Sequence, residues 1–177
     1  WSLGRGILDR AIADERTLAL QRIERAVLFM DIRGFTAWSE KQTPEMVVGM
    51  LNDYYRTAET ALGETMPIKL KYTADEVMAV FADAETAVAA ARRMLAAVRA
   101  LLADVGLDAG VGVHDGQVVE GVLGGEGAKA YDFIGDTVNT AQRLCDAAAP
   151  GEVLVSEAAT EAAGLQPSRY REIVAKG

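Results

Sequence analysis

The stretch Ala26-Val27-Leu28-Phe29-Met30-Asp31-Ile32-Arg33-Gly34-Phe35-Thr36 constrains this chain more than any other. Ala26 to Met30 is a continuous apolar run of strand length, the pattern of a strand covered on both faces. Asp31 is then expected where that strand ends. Gly34 lets the following turn bend close to a ligand with no Cβ in the way. A carboxylate beside a turn of free N–H groups suits a metal-bound polyphosphate. An Asp opening an ordinary turn fits this segment equally well.

The rest of the chain narrows the choice. Its 177 residues, half of them hydrophobic, suffice for one domain with a real core and exclude a disordered chain. A net charge of −8 argues against nucleic-acid partners held by a basic surface, and is compatible with an acidic site that recruits Mg²⁺ or Mn²⁺. Cys145 is the only cysteine, so no internal disulfide forms, and His114 is the only histidine, which argues against a His-rich zinc site. No apolar run approaches membrane-spanning length and no signal peptide is visible. The expectation is a cytoplasmic domain cut from a longer protein, membrane-bound or sensory, since the chain opens at Trp1.

In chain order, residues 1–23 are expected to be a helical linker, with the folded domain over 24–177. Thr43 is a good N-cap and Pro44 suits the first helical position. Val47, Leu51, Tyr55, Ala58 and Leu62 recur every three or four residues, so a helix should run to Gly63, with Met46 and Met50 as packing residues. Pro67 to Thr73 alternates apolar and polar residues, which puts Lys69, Lys71 and Thr73 on one face of a half-buried strand. Val77 to Phe81 resumes as a strand, and Asp75 falls near the tip of the hairpin. Asp83 should cap an Ala-rich helix ending near Leu102. Leu107 to Val113 reads as a strand, His114-Asp115-Gly116 as a turn, and Gln117 to Leu123 as a strand running back. A helix is predicted from about Gly135 to Ala149, with Asn139 and Arg143 four residues apart on one face. A strand at Val153–Ser156, a short helix from Glu157 and a last strand over Tyr170–Val174 complete the order. The fold class is α+β: a ferredoxin-like βαββαβ core with additional C-terminal strands and helices.

In this fold Asp31 and Asp75 sit on neighbouring strands. Two such carboxylates can bridge two divalent cations, an arrangement suited to phosphoryl or nucleotidyl transfer. Palm-type polymerases share it.

Three blocks go further. Phe29 to Thr36, Lys71 to Phe81 and Tyr131 to Arg143 together resemble the signature motifs of the class III nucleotidyl cyclases, the adenylate and guanylate cyclase catalytic domains. The resemblance runs from about Glu24 to Val174, with the motifs in the family's order and spacing. It implies that Asp31 and Asp75 hold two divalent cations, Mg²⁺ or Mn²⁺, assisted by the Ile32 carbonyl. It implies backbone contacts from Phe35 and Thr36 to the terminal phosphates, and base selection by Lys71 and Asp132. Asn139 falls at the ribose-orienting position and Arg143 at the one that stabilises the transition state. In the family two catalytic domains pair head to tail and share each site, so one chain carrying the whole set implies a homodimer with two sites.

Lysine only donates hydrogen bonds and ionised aspartate only accepts. Lys71 and Asp132 therefore match N1 and the 6-amino group of adenine. Guanine presents the reverse pattern, and each buried mispaired group costs about 1–3 kcal/mol. ATP is the expected substrate and cyclic AMP with pyrophosphate the expected products. The alternative is a degenerate cyclase-like module that senses nucleotide and dimerises without turnover. A diguanylate cyclase or palm polymerase fits less well, because of the Asn139–Arg143 and Lys71–Asp132 pairs. Two positions depart from the family's habit: Ala74 replaces a usual Gly, and an arginine common near His114 is missing, with Gly110 and Gln117 there instead.

Overall fold

The computed structural model describes residues 19–125, 128–166 and 169–173. Its first element is the apolar run itself. β1 spans Gln21–Arg33, longer at both ends than Ala26–Met30 alone suggests. Asp31 is thus inside the strand, opposite Glu76 on one neighbour and Gly110 on the other, rather than at its end. The expected linker over 1–23 lies outside the described residues as far as residue 18, and Gln21 to Ile23 are strand, paired with Val118 to Glu120.

Gly34 adopts φ 83 and starts α1, Phe35–Ser39, a short helix where only a turn was expected. α2, Pro44–Leu62, begins as read: the Thr43 side chain accepts from the Met46 N–H. Its buried face is Tyr54, Ala58 and Leu62, with Tyr55 only half-buried. Met50 packs against the core, but Met46 is 56% exposed and is not a packing residue. β2, Lys69–Thr73, and β3, Glu76–Phe81, form the hairpin around Ala74-Asp75. α3, Ala84–Ala103, is capped by Asp83, which accepts from the Thr86 N–H at 2.8 Å.

The next element corrects the expectation. β4 is one continuous strand, Asp108–Gly125, with no turn at His114-Asp115-Gly116. Those three residues pair with Val27, Ala26 and Arg25, so β1's own length carries the partner strand through a turn-like sequence. His114 Nδ1 lies 2.8 Å from Ser156 Oγ, and burial lowers its pKa against the opposing charge of Asp115. β5, Ala128–Ile134, returns along β4. α4, Asp136–Ala147, β6, Val153–Val155, and α5, Glu157–Ala162, follow. Tyr170 to Ile173 are irregular, not strand, and Val174 lies outside the described residues.

The strand order is β2-β3-β1-β4-β5, with β6 parallel to β4. Its first four strands, with α2 and α3 as crossovers, are the expected ferredoxin-like core. Alternation along β1 splits the interior. Leu28, Met30 and Ile32 face a cluster with Tyr54, Phe81, Met94 and Leu102 from α2, β3 and α3. Fully burying each such side chain stabilises the fold by about 1.5–3 kcal/mol. Val27 and Phe29 face the other way, onto Met78, Val80, Tyr131, Phe133, Ala141 and Cys145. α4 comes close on that side because Gly112 has no side chain: a Cβ there would lie 2.2 Å from the Cys145 nitrogen. By the same two-residue period, Asp31 belongs to this second face. Among the described residues, no helix is long and apolar enough to cross a membrane.

Candidate active site

Asp31 and Asp75 come together, one from β1 and one from the tip of the β2–β3 hairpin. Burial first, then the charge of Asp75, push the Asp31 carboxyl up to about 7 although Arg33 opposes them. Ala74, before Asp75, has φ 50, the only described non-glycine residue in the left-handed region. Gly would adopt that conformation without the Cβ penalty that Ala carries. The tip is braced from α2: Tyr55 donates its hydroxyl to the Ala74 carbonyl and stacks on Tyr72 at 4.3 Å.

Three residues beside these carboxylates, and one beside Asp132, were given no functional role from the sequence. Arg33 Nη1 donates to Asp31 Oδ2 at 2.7 Å, and Nη2 donates to the Cys145 carbonyl. Its guanidinium fills the space beside Gly110, where a Cβ would stand 2.7 Å from Nη2. A guanidinium thus lies against Gly110, reaching over from β1. Tyr54 is fully buried, and burial and then the charge of Asp31 raise its hydroxyl pKa. Arg33 Nε and Tyr54 Oη are the two buried side-chain polar atoms without a hydrogen-bond partner among the described residues. Arg33 was legible as the i+2 neighbour of Asp31 in a strand. Tyr55 sits inside a helical repeat that marks it only as a packing residue, and its neighbour Tyr54 falls outside that repeat. Lys69 is the fourth.

Lys69 and Lys71 share a face of β2, but their surroundings differ. Lys69 is 5% exposed, whereas Lys71 is open to solvent. Lys69, not Lys71, holds Asp132: its Nζ lies 2.8 Å from Asp132 Oδ1 and 2.7 Å from the Tyr131 carbonyl. Burial alone would raise the Asp132 pKa. Hydrogen bonds from Lys69 and the Phe133 N–H, with the charges of Lys69 and Lys71, outweigh it and hold the carboxyl below its usual value. β2 and β5 stand at opposite ends of the strand order, so this contact closes the sheet on itself across the second core.

Phe35 and Thr36 open α1, where first-turn N–H groups have no partner in the helix ladder. The Phe35 ring packs against the core and Thr36 is exposed. α4 buries Thr137, Ala141 and Cys145, which turns Asn139 and Arg143 outward. Among the described residues neither makes a hydrogen bond or ion pair with Asp31 or Asp75. The structure brings Asp31 and Asp75 together and bonds Asp132 to Lys69, with Lys71 acting on Asp132 by its charge alone, while Asn139 and Arg143 make no such bond with the acidic pair.

Among the described residues no group of three His, Cys, Asp or Glu side chains gathers. A cation at Asp31 and Asp75 would therefore complete its shell with backbone, water or substrate oxygens. Oxygen donors of this kind suit Mg²⁺ or Mn²⁺. An Asp31 carboxyl raised by burial and by the charge of Asp75 beside it fits such a group.

The fold is an α+β domain whose mixed sheet sets one carboxylate on β1 beside another at the tip of the β2–β3 hairpin, with a buried Lys69–Asp132 pair joining β2 to β5. The model of the adenylate and guanylate cyclase catalytic domain matches residues 19–172. An adenylate cyclase of Anabaena cylindrica is 36% identical over 130 residues, 67% of this chain and 26% of that protein. An uncharacterized protein of Mycobacterium tuberculosis is 30% identical over 168 residues, 91% of this chain and 31% of that one. Among solved structures, the guanylyl cyclase Cya2 superposes with a TM-score of 0.75 at 27% identity, over 86% of this chain and 89% of that one. The adenylyl cyclase CyaB from P. aeruginosa gives 0.70 at 28%, over 81% and 82%. The chain belongs to the adenylate and guanylate cyclase catalytic domain family. It spans less than a third of the length of these curated relatives.

Proposed function

We propose that this domain is an adenylate cyclase that converts ATP to 3′,5′-cyclic AMP and pyrophosphate. The observation that carries the choice of base is the Asp132 carboxylate, held ionised beside two lysines. An acceptor-only carboxylate suits the 6-amino group of adenine, and the exposed Lys71 ammonium suits N1. Similarity to adenylyl and guanylyl cyclases alike leaves that choice to the site chemistry.

Asp31 and Asp75, with the Ile32 carbonyl, would hold two divalent cations, Mg²⁺ or Mn²⁺. When bound, these supply Lewis acidity at the ribose 3′-hydroxyl and the phosphates. The first-turn amides of Phe35 and Thr36 bind the terminal phosphates. Asn139 orients the ribose. The 3′-oxygen then forms a bond to the α-phosphorus, the bond to the bridging oxygen breaks, and pyrophosphate leaves with that electron pair; the hydroxyl proton passes to solvent. Arg143 balances the charge that builds on the α-phosphate, a role worth about 10²–10³ in rate by analogy with oxyanion donors.

Asn139 and Arg143 face solvent and do not reach the acidic pair of their own chain. That supports a homodimer in which each site takes its carboxylates from one subunit and its reader, Asn and Arg from the other. Initial rates with ATP and GTP at equal concentration test the assignment. Faster ATP turnover is expected, and faster GTP turnover would reject it. A nucleotide sensor would instead bind a nonhydrolysable ATP analogue in calorimetry and form no cyclic AMP from ATP.

A further inference from the structure

Base reading by Lys71 and Asp132 leaves a buried lysine unexplained. Lys69 is 5% exposed in a face that a period of two would give to solvent. A buried ammonium is costly unless it is paired and hydrogen-bonded, and Lys69 has both kinds of partner, Asp132 and the Tyr131 carbonyl. The geometry at Asp132 is one-sided. Oδ1 accepts from Lys69 Nζ at 2.8 Å and from the Phe133 N–H at 2.9 Å. Among the described residues, Oδ2 accepts no hydrogen bond. The carboxylate is fastened by one oxygen and presents the other.

We propose that Lys69 is a positioning residue for base selection: it clamps Asp132 through Oδ1, so that Oδ2 is aimed and kept free for the exocyclic amine of the purine. The proposal rests on the ATP reading of the site. It divides the work of β2 between two lysines. Lys71 touches the base, while Lys69 acts through Asp132. Because Lys69 sits on β2 and Asp132 on β5, the clamp also sets the distance between the two readers. Without it only the Phe133 N–H holds the carboxylate, which can then rotate more freely about χ2 and swing away from Lys71. The donor–acceptor pattern then loses its register, and with it the discrimination against guanine.

The test compares the parent chain with Lys69→Met and Lys69→Arg at saturating MgCl₂ or MnCl₂ and fixed protein concentration. KM and kcat are measured for ATP and for GTP. With Lys69→Met, KM for ATP should rise about tenfold and the ATP-to-GTP ratio of kcat/KM should fall by about as much, the size of one lost charge-assisted hydrogen bond. kcat for ATP should move far less, and Lys69→Arg should restore most of the ratio. If Lys69→Met does not fold by circular dichroism, Lys69→Gln carries the same test. Equal losses for both nucleotides, with an unchanged ratio, would show a purely structural lysine and overturn the clamp, leaving the ATP reading standing. A parent chain that prefers GTP would overturn the ATP reading itself, and the clamp with it.

Discussion

The two ends of the site are built on opposite principles. At the acidic end, Asp31 and Asp75 crowd each other, Asp31 is pushed up to about 7, and Arg33 Nε and Tyr54 Oη are buried without partners. At the reading end, Lys69, Asp132, the Tyr131 carbonyl and the Phe133 N–H satisfy one another. The acidic carboxylates meet a single guanidinium, bonded to Asp31, whereas the buried Lys69 ammonium meets two acceptors. The contrast teaches that the fold places its own contacts at the end proposed to recognise a base with fixed geometry. At the acidic end two carboxylates stand together with Arg33 bonded to Asp31, an arrangement that suits the cations proposed for it.

The contrast can be broken by mutation. Asp31→Asn should abolish activity, by about 10³-fold or more, since a carboxylate proposed to hold a cation is gone. Its melting temperature without divalent cations should not fall, because one of two crowded acids has been neutralised. A clear drop in melting temperature would mean that the acidic end is as self-sufficient as the other. Asp132→Ala should do the reverse in stability. It strands the buried Lys69 ammonium and should cost about 1–3 kcal/mol, read by urea titration. No loss there would remove the reading end's claim to be a closed network.

Smaller effects sharpen the picture. Ala74→Gly relieves a left-handed Ala at the hairpin tip and should stabilise the chain by about 1 kcal/mol, with activity retained. A loss of stability would mean that the Tyr55 bond to the Ala74 carbonyl relies on a stiff tip. The smallest effect is one of pH. Asp132 has its pKa depressed in the folded state, so its contribution to stability is complete above its unfolded value and is lost as pH falls through the folded one. Parent and Asp132→Ala chains should therefore differ most in stability near neutrality and converge in acid. A gap that stays constant down to acid pH would rule this linkage out.

Much of this architecture is legible in the residues. The buried strand around Leu28, the caps at Thr43 and Asp83 and the hairpin at Asp75 all follow from local chemistry, and they suffice for the ferredoxin-like core. His114-Asp115-Gly116 misleads because a turn-like tripeptide becomes strand when β1 is long enough to pair it. Lys69 misleads for a related reason. Alternation along β2 predicts a solvated face, and nothing local says that β5 will curl over it. Of the proposed site, Asp31 and Asp75 are readable as a pair from fold topology. Arg33 lies close to Asp31 in sequence, but its place over Gly110 depends on the register of β1 against β4.

The shared site is the centre of the account, and one mixing experiment addresses it. Asp31→Ala and Arg143→Ala chains are each expected to be inactive alone, since either change spoils both sites of a homodimer. Mixed in equal amounts, half of the dimers are hybrids with one intact site of two, so activity should return to about a quarter of the parental value. No recovery, with hybrid dimers confirmed by differential tagging, would contradict a site built from two chains.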